Sequence, residues 1–210
     1  MRILMFGWEF PPAISGGLGT ACFGITKALA DRGHFVTFVV PSLHGPKRSS
    51  HVTLLSADEF PSGAGLAVHP VESPLRPYMG QEPCQAFHGE SLLASPGHYG
   101  PDLFEEVRRY GDEAGVIAGR VPCDVIHAHE WLSVPAALRA RRESGRPFVF
   151  HVHALESDRS GGTGNEAIVA IERQGLLEAD HVIAVSHFTK RAIVQRYGID
   201  GRKVSVIHNA

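Results

Sequence analysis

Apolar residues gather in short runs separated by amphipathic stretches, and this alternation carries most of the structural information in the chain. Residues 2–6 form an apolar run that stops at Gly7, which predicts a buried strand at the start. Pro11, Pro12, Gly16 and Gly17 then exclude regular structure over 9–17. Over 18–32 the apolar positions Ala21, Ile25, Ala28 and Leu29 recur at helical spacing, with Lys27, Asp31 and Arg32 outward and Gly33 as the stop. A second buried strand follows at 35–40, closed by Pro41. A strand, glycine loop, helix and strand within about 40 residues have the length of a βαβ crossover.

The pattern weakens over 43–101, which carries most of the prolines and reads as an irregular insertion with edge strands at 52–55 and 66–68. Helical spacing resumes with Leu103, Val107, Ala114 and Ile117. The last third is regular. Strands are expected at 124–127, 148–152, 181–185 and 203–207, and helices at 131–142, 165–178 and 186–197. Asn165 or Gly164 and Ser186 serve as caps, and Gly198 as a stop. Alternating apolar strands and amphipathic helices imply an α/β fold, a Rossmann-like parallel sheet with helices on both faces.

Composition narrows the function. The 210 residues hold 20 Lys+Arg against 22 Asp+Glu, a formal charge of −2, and 43% hydrophobic residues. That is a globular composition with no electrostatic footprint for nucleic acid or an acidic membrane. The apolar start meets Glu9, Pro11 and Pro12 before a signal-peptide core could form, and no run is long enough for a membrane span. Three scattered cysteines, Cys22, Cys84 and Cys123, form no disulfide framework and fit a reducing, cytoplasmic setting.

Two clusters carry candidate chemistry. Ligands of open parallel sheets bind beyond the carboxyl ends of the strands. There, Ser15-Gly16-Gly17-Leu18-Gly19-Thr20 runs into a helix whose N-terminus favours an anion such as a diphosphate. A turn that merely permits close packing is the alternative. The dinucleotide fingerprint is excluded because Cys22 stands where a third glycine belongs, and the triphosphatase loop because no Gly-Lys-Ser/Thr follows. The second cluster is a pair of His-x-His strand ends, His127-Ala-His129-Glu130-Trp131 and His151-Val-His153. Residues two apart on a strand share a face. Polar substrate contact, metal ligation with Glu156 and Asp158 closing the shell, and satisfied core histidines all remain open.

These stretches together resemble the N-terminal domain of a GT-B retaining glycosyltransferase of the branch that includes bacterial glycogen synthases. The resemblance is carried by MRILMFGWEFPPAISGGLGTACFGITKALADRGHFVTFVVPS, DVIHAHEWLSVPAALRA, FVFHVHALESDRSG, LEADHVIAVSHFTK and VSVIHN. It implies transfer of glucose from a nucleotide-sugar, such as ADP-glucose or UDP-glucose, to a glucan, with no metal and no further cofactor. Gly16, Gly17 and Leu18 match the loop facing the donor diphosphate. His153 matches the catalytic histidine beside the transferred sugar, and His129, Glu130 and Trp131 an acceptor-side strand end. Ile14 stands where glycogen synthases carry a phosphate-binding lysine, which puts donor and glucan specificity in question. Family members continue past Asn209-Ala210 into a donor-binding domain, so the resemblance implies that 210 residues alone fold but do not turn over. A related transferase for a small glycoside, lipid or cell-surface acceptor, a non-catalytic carbohydrate-binding module, and a metal-dependent hydrolase are the competing expectations.

Overall fold

The computed structural model describes residues 1–12, 16–43, 51–60, 101–162 and 164–209. Among these residues, seven strands form one sheet: β1 (Arg2–Phe6), β2 (Phe35–Val40), β3 (Thr53–Ser56), β4 (Val125–His129), β5 (Phe148–Val152), β6 (His181–Ala184) and β7 (Val204–Val206). Their spatial order is β3-β2-β1-β4-β5-β6-β7, and every pairing is parallel. The chain winds outward from β1 in one direction and from β4 in the other, so the switch point falls between these two central strands.

Among the described residues, six α-helices cover the sheet: α1 (Gly17–Asp31), α2 (Pro101–Arg120), α3 (Val134–Ser144), α4 (Glu156–Arg159), α5 (Glu166–Glu178) and α6 (His187–Tyr197). Right-handed crossovers from a switch point send helices to opposite faces, and the side chains divide accordingly. Leu4 and Phe6 of β1 pack with residues of α2, α3, α5 and α6 on one face, whereas Ile3 and Met5 pack with Leu18 and Cys22 of α1 on the other. Both faces are thus apolar. Strand β1 is accordingly apolar on both faces, as expected for a strand covered on both sides, whereas β4 and β5 carry histidines on the α1 face.

The caps follow the residue chemistry. The Asn165 side chain accepts the Ala167 N–H, and the Ser186 hydroxyl accepts the Thr189 N–H. Gly198 ends α6 with φ of 71°, a left-handed conformation that a side chain disfavours. Two local differences from the sequence pattern matter for the site. Strand β4 runs to His129 rather than 127, and a 3-10 turn (Trp131–Ser133) separates it from α3. A one-turn helix, α4, follows β5 in a stretch to which the sequence pattern assigns no element. Within the irregular insertion, β3 forms the expected edge strand near 52–55. The strand expected at 66–68, the proline-rich stretch 73–100, Cys84 and Ile14 lie outside the described residues. Among the described residues, no helix is long and apolar enough to cross a membrane.

Candidate functional site

The carboxyl ends of β1, β4 and β5 bring the two sequence clusters to one edge of the sheet. After β1 the chain reaches Gly16, whose extended backbone precedes the first turn of α1. A Cβ at Gly17 would meet no atom within 4 Å, so packing does not require glycine there. Among the described residues, the missing side chain leaves the helix N-terminus open to approach. Leu18 points inward and is 6% exposed, so only its backbone is available to a guest. Glu9 was not singled out by the sequence pattern. It is buried, and its Oε1 accepts the Gly19 N–H at 2.9 Å, so one donor of this turn is already engaged by a carboxylate.

Adjacent strands β4 and β5 pair with His129 opposite His151. Period-two alternation then puts His127, His129, His151 and His153 on the α1 face, while Ile126, Ala128, Phe148, Phe150 and Val152 enter the core on the other. The four imidazoles form a stack. Ring centroids are 4.5 Å apart for His127 and His129, 5.0 Å for His129 and His151, and 4.4 Å for His151 and His153. Phe38 of β2 lies against His129. The Nδ1 of His129 is 3.0 Å from the Nε2 of His153, and the Asn209 amide approaches the other His153 nitrogen at 3.5 Å. His127, His129 and His151 are buried, while His153 is partly exposed at the strand end.

Burial of the imidazoles disfavours the charged form, and each ring disfavours a second charge beside it. His127 is pushed down to about 3 and His151 to about 2. His129 falls well below the usual range for the same reasons. His153 is lowered by burial and partly restored by the nearby Glu130 carboxylate. All four are neutral at pH 7, each with one N–H and one lone pair. His153 is therefore a hydrogen-bonding group rather than a resident acid.

Glu130 follows β4 with φ of 64°, the one non-glycine residue with positive φ among those described. Its carboxylate points inward. Oε1 accepts the N–H groups of His153 and Ala154 at 2.6 and 2.8 Å, and Oε2 pairs with Arg159 at 2.6 Å. Arg159, on α4, also binds Glu156, Glu172 and the Ala154 carbonyl. Glu172 accepts the Glu156 N–H and the Tyr197 hydroxyl, and burial raises its carboxyl to about 7. Trp131 is 1% exposed and packs on Phe104 at 5.8 Å between centroids, within a cluster of Leu103, Val107, Leu132 and Ile168. Glu156 and Asp158, the carboxylates expected to close a metal shell, instead accept the Asn165 and Leu155 N–H groups.

The structure thus assembles His129, His153 and Glu130 around the ends of β4 and β5, and it buries Trp131 in a separate apolar cluster. Arg159, Glu172 and Glu9 are the residues the sequence pattern missed. Charged side chains look solvated in sequence unless the fold that buries them is known. The three acids that meet Arg159, namely Glu130, Glu156 and Glu172, lie far apart in the chain, so no local pattern pointed to them.

A parallel sheet with this order is the Rossmann-like arrangement found in GT-B glycosyltransferase domains. Residues 15–210 match the model of Glycosyltransferase Family 4, and the chain belongs to that family. A glycogen synthase of Mycobacterium tuberculosis is 29% identical over all of this chain and 48% of its own length. An uncharacterized glycosyltransferase of Methanocaldococcus jannaschii is 26% identical over all of the chain and 46% of its own length. The chain thus spans about half the length of these curated relatives. A D-inositol 3-phosphate glycosyltransferase of Nocardioides sp. is 30% identical over 91 residues, covering 40% of this chain and 20% of its own length. Among solved structures, sucrose-phosphate synthase from Thermosynechococcus elongatus shares the fold with a TM-score of 0.66 at 18% identity, covering 99% of this chain and 47% of its own. The catalytic domain of starch synthase IV from Arabidopsis thaliana, bound to ADP and acarbose, does so with 0.60 at 14%, covering 99% and 51%.

Proposed function

We propose that this chain is the acceptor-side half of a retaining transferase that moves glucose from a nucleotide-sugar to a glucan. The observation that carries the reading is His153, a neutral, partly exposed imidazole at the end of β5 whose backbone N–H is fixed by a buried carboxylate. The 29% identity of this chain to about half of a glycogen synthase supports the choice of glucose and glucan.

In this reading the N-terminus of α1, at Gly16, Gly17 and Leu18, faces the donor diphosphate. The positive end of a helix stabilises charge that develops on a leaving diphosphate. His153 contacts the transferred sugar through its ring or carbonyl and supports the developing oxocarbenium ion. Its neutrality suits that role, because a charged imidazolium would repel a cationic sugar. His129 holds the His153 ring through the Nδ1 contact, and Glu130 holds its backbone, so both shape the acceptor side from beneath. Trp131 anchors the same strand end in the core. Clamping the sugar and excluding water require a second, donor-binding domain. The 210 residues alone are accordingly expected to fold, to bind sugars weakly and to be inactive. The reaction needs no resident cofactor, and the free, buried Cys22 and Cys123 suit the cytoplasm.

The test uses the complete reading frame with ADP-, UDP- and GDP-glucose, with and without glycogen primer, beside a His153→Ala variant. Primer-dependent nucleotide release that collapses in the variant is expected. No release with any of the three donors would overturn the glucan synthase reading. A second reading, transfer to a small polar acceptor, draws on the 30% match to an inositol phosphate glycosyltransferase. Primer-independent release stimulated by a cyclitol phosphate would favour it. Retention on a glucan matrix without any release would instead favour a binding module.

A further inference from the structure

We propose that His127, His129 and His151 form a binding site for one late first-row divalent ion of the zinc class, adjoining the sugar-transfer site through the His129–His153 contact.

Three imidazoles, from two paired strands, each bring a ring nitrogen to within 4.8 Å of the others, and all three residues are buried. Buried polar atoms in folded proteins nearly always have a hydrogen-bond partner. Here the Nε2 atoms of His127 and His129 and both nitrogens of His151 have none. One ion would take a lone pair from each ring and satisfy three of these four atoms at once. The donor set selects the ion. Imidazole nitrogens without carboxylates suit zinc, cobalt, nickel or copper rather than magnesium or calcium, which require oxygen.

The surrounding contacts fit such a site as well. Metal-bound histidines usually donate their second ring N–H to an acceptor, which fixes the tautomer. His129 has that arrangement: its Nδ1 lies 3.0 Å from the Nε2 of His153, leaving Nε2 to the ion. Asn209, whose amide oxygen and nitrogen exchange places by a half turn, accommodates either tautomer of His153. Phe38 closes one side of the stack. His153, partly exposed, is the member of the stack through which an ion and its fourth, water-derived ligand would enter. Three histidines and an open position are a familiar zinc set.

The experiment uses the 210-residue chain, stripped with a chelator and titrated with Co2+ by visible absorption and with Zn2+ by calorimetry. One ion per chain with intense, tetrahedral-type absorption is expected. Affinity should fall more than about tenfold in His127→Gln and in His151→Gln, while His187→Ala leaves it unchanged. Loss of uptake in His187→Ala would instead place the ion on the exposed His187–His208 pair and overturn the proposal. X-ray absorption of the cobalt-loaded wild type needs no variant, so the test survives if a substitution unfolds the chain. Three imidazole ligands support the site. Fewer than three, octahedral weak absorption, or no saturable uptake refutes it. Every readout is independent of nucleotide release, so failure here leaves the transferase reading intact, and the converse.

Discussion

Arg159 Nη1 lies 2.6 Å from Glu130 Oε2, while the other oxygen of the same carboxylate holds the backbone of His153 and Ala154. The pair links a one-turn helix after β5 to a strained residue after β4. Both side chains are largely buried, at 12% and 0% exposure. Removing one partner from a buried pair leaves an uncompensated charge and costs about 3–5 kcal/mol. Arg159→Met, which strands Glu130, Glu156 and Glu172 together, and Glu130→Gln should each fall in that range by urea denaturation. The double variant should cost clearly less than the sum, because the second change removes a charge the first had orphaned. Strict additivity would show that the two residues do not act as a pair.

Glu172 sets a pH dependence. Burial holds its carboxyl at about 7, against 4.5 ordinarily, with Arg159 and the Tyr197 hydroxyl opposing the rise and Glu130 adding to it. The folded state therefore binds a proton that the unfolded chain has released between these values. Its contribution is full below pH 4.5 and is lost as pH rises through 7, by up to about 3 kcal/mol. Comparing Glu172→Gln with wild type across pH 4.5–8 isolates this group, since the other titrations are common to both. The stability difference should shift in favour of the variant as pH rises, and a pH-independent difference would contradict the assignment.

Two helical glycines separate packing from propensity. A Cβ at Gly175 would lie 2.8 Å from Val134 Cγ2 and 3.1 Å from Phe150 Cε1, so Gly175→Ala should destabilise by about 1–3 kcal/mol. Gly24, inside α1 and exposed, would meet nothing within 4 Å, and Gly24→Ala should stabilise by about 0.5–1 kcal/mol. Thermal melts of the two variants should move in opposite directions.

Tyr110 on α2 donates its hydroxyl to the Gly7 and Val39 carbonyls, at 3.0 and 2.7 Å, where the chain leaves β1 and β2. In Tyr110→Phe the Val39 carbonyl keeps the Gly7 N–H, but the Gly7 carbonyl loses the hydroxyl. A loss of about 1–2 kcal/mol is expected in chemical denaturation. Faster hydrogen exchange at the end of β1 should accompany it.

The elements were legible where one local rule dominates. Predominantly apolar runs marked β1, β2 and β5, and Asn165 and Ser186 cap helices through their side chains while Gly198 stops one through its left-handed backbone. The alternation of His127 and His129 also placed both on one face. The interior position of Trp131 was not legible, because it depends on Phe104 and Leu103 from a helix nearly thirty residues earlier in the chain, on the order of eight helical turns. Nor was α4, a single turn whose sequence Glu-Ser-Asp-Arg is equally at home in a loop. Arg159 was missed for the same reason: its meaning comes from three acids that converge only once β4, α4 and α5 are packed.

The pairing of His129 with His151 has a spectroscopic consequence. Stacked aromatic rings shift one another's proton resonances by ring currents that decay steeply with distance, and here neighbouring imidazoles sit 4.4–5.5 Å apart. Sliding β4 by one residue along β5 would turn its two histidines to the opposite face and dissolve the stack. The imidazole signals of this chain are therefore an internal gauge of strand alignment, readable during refolding without any added label.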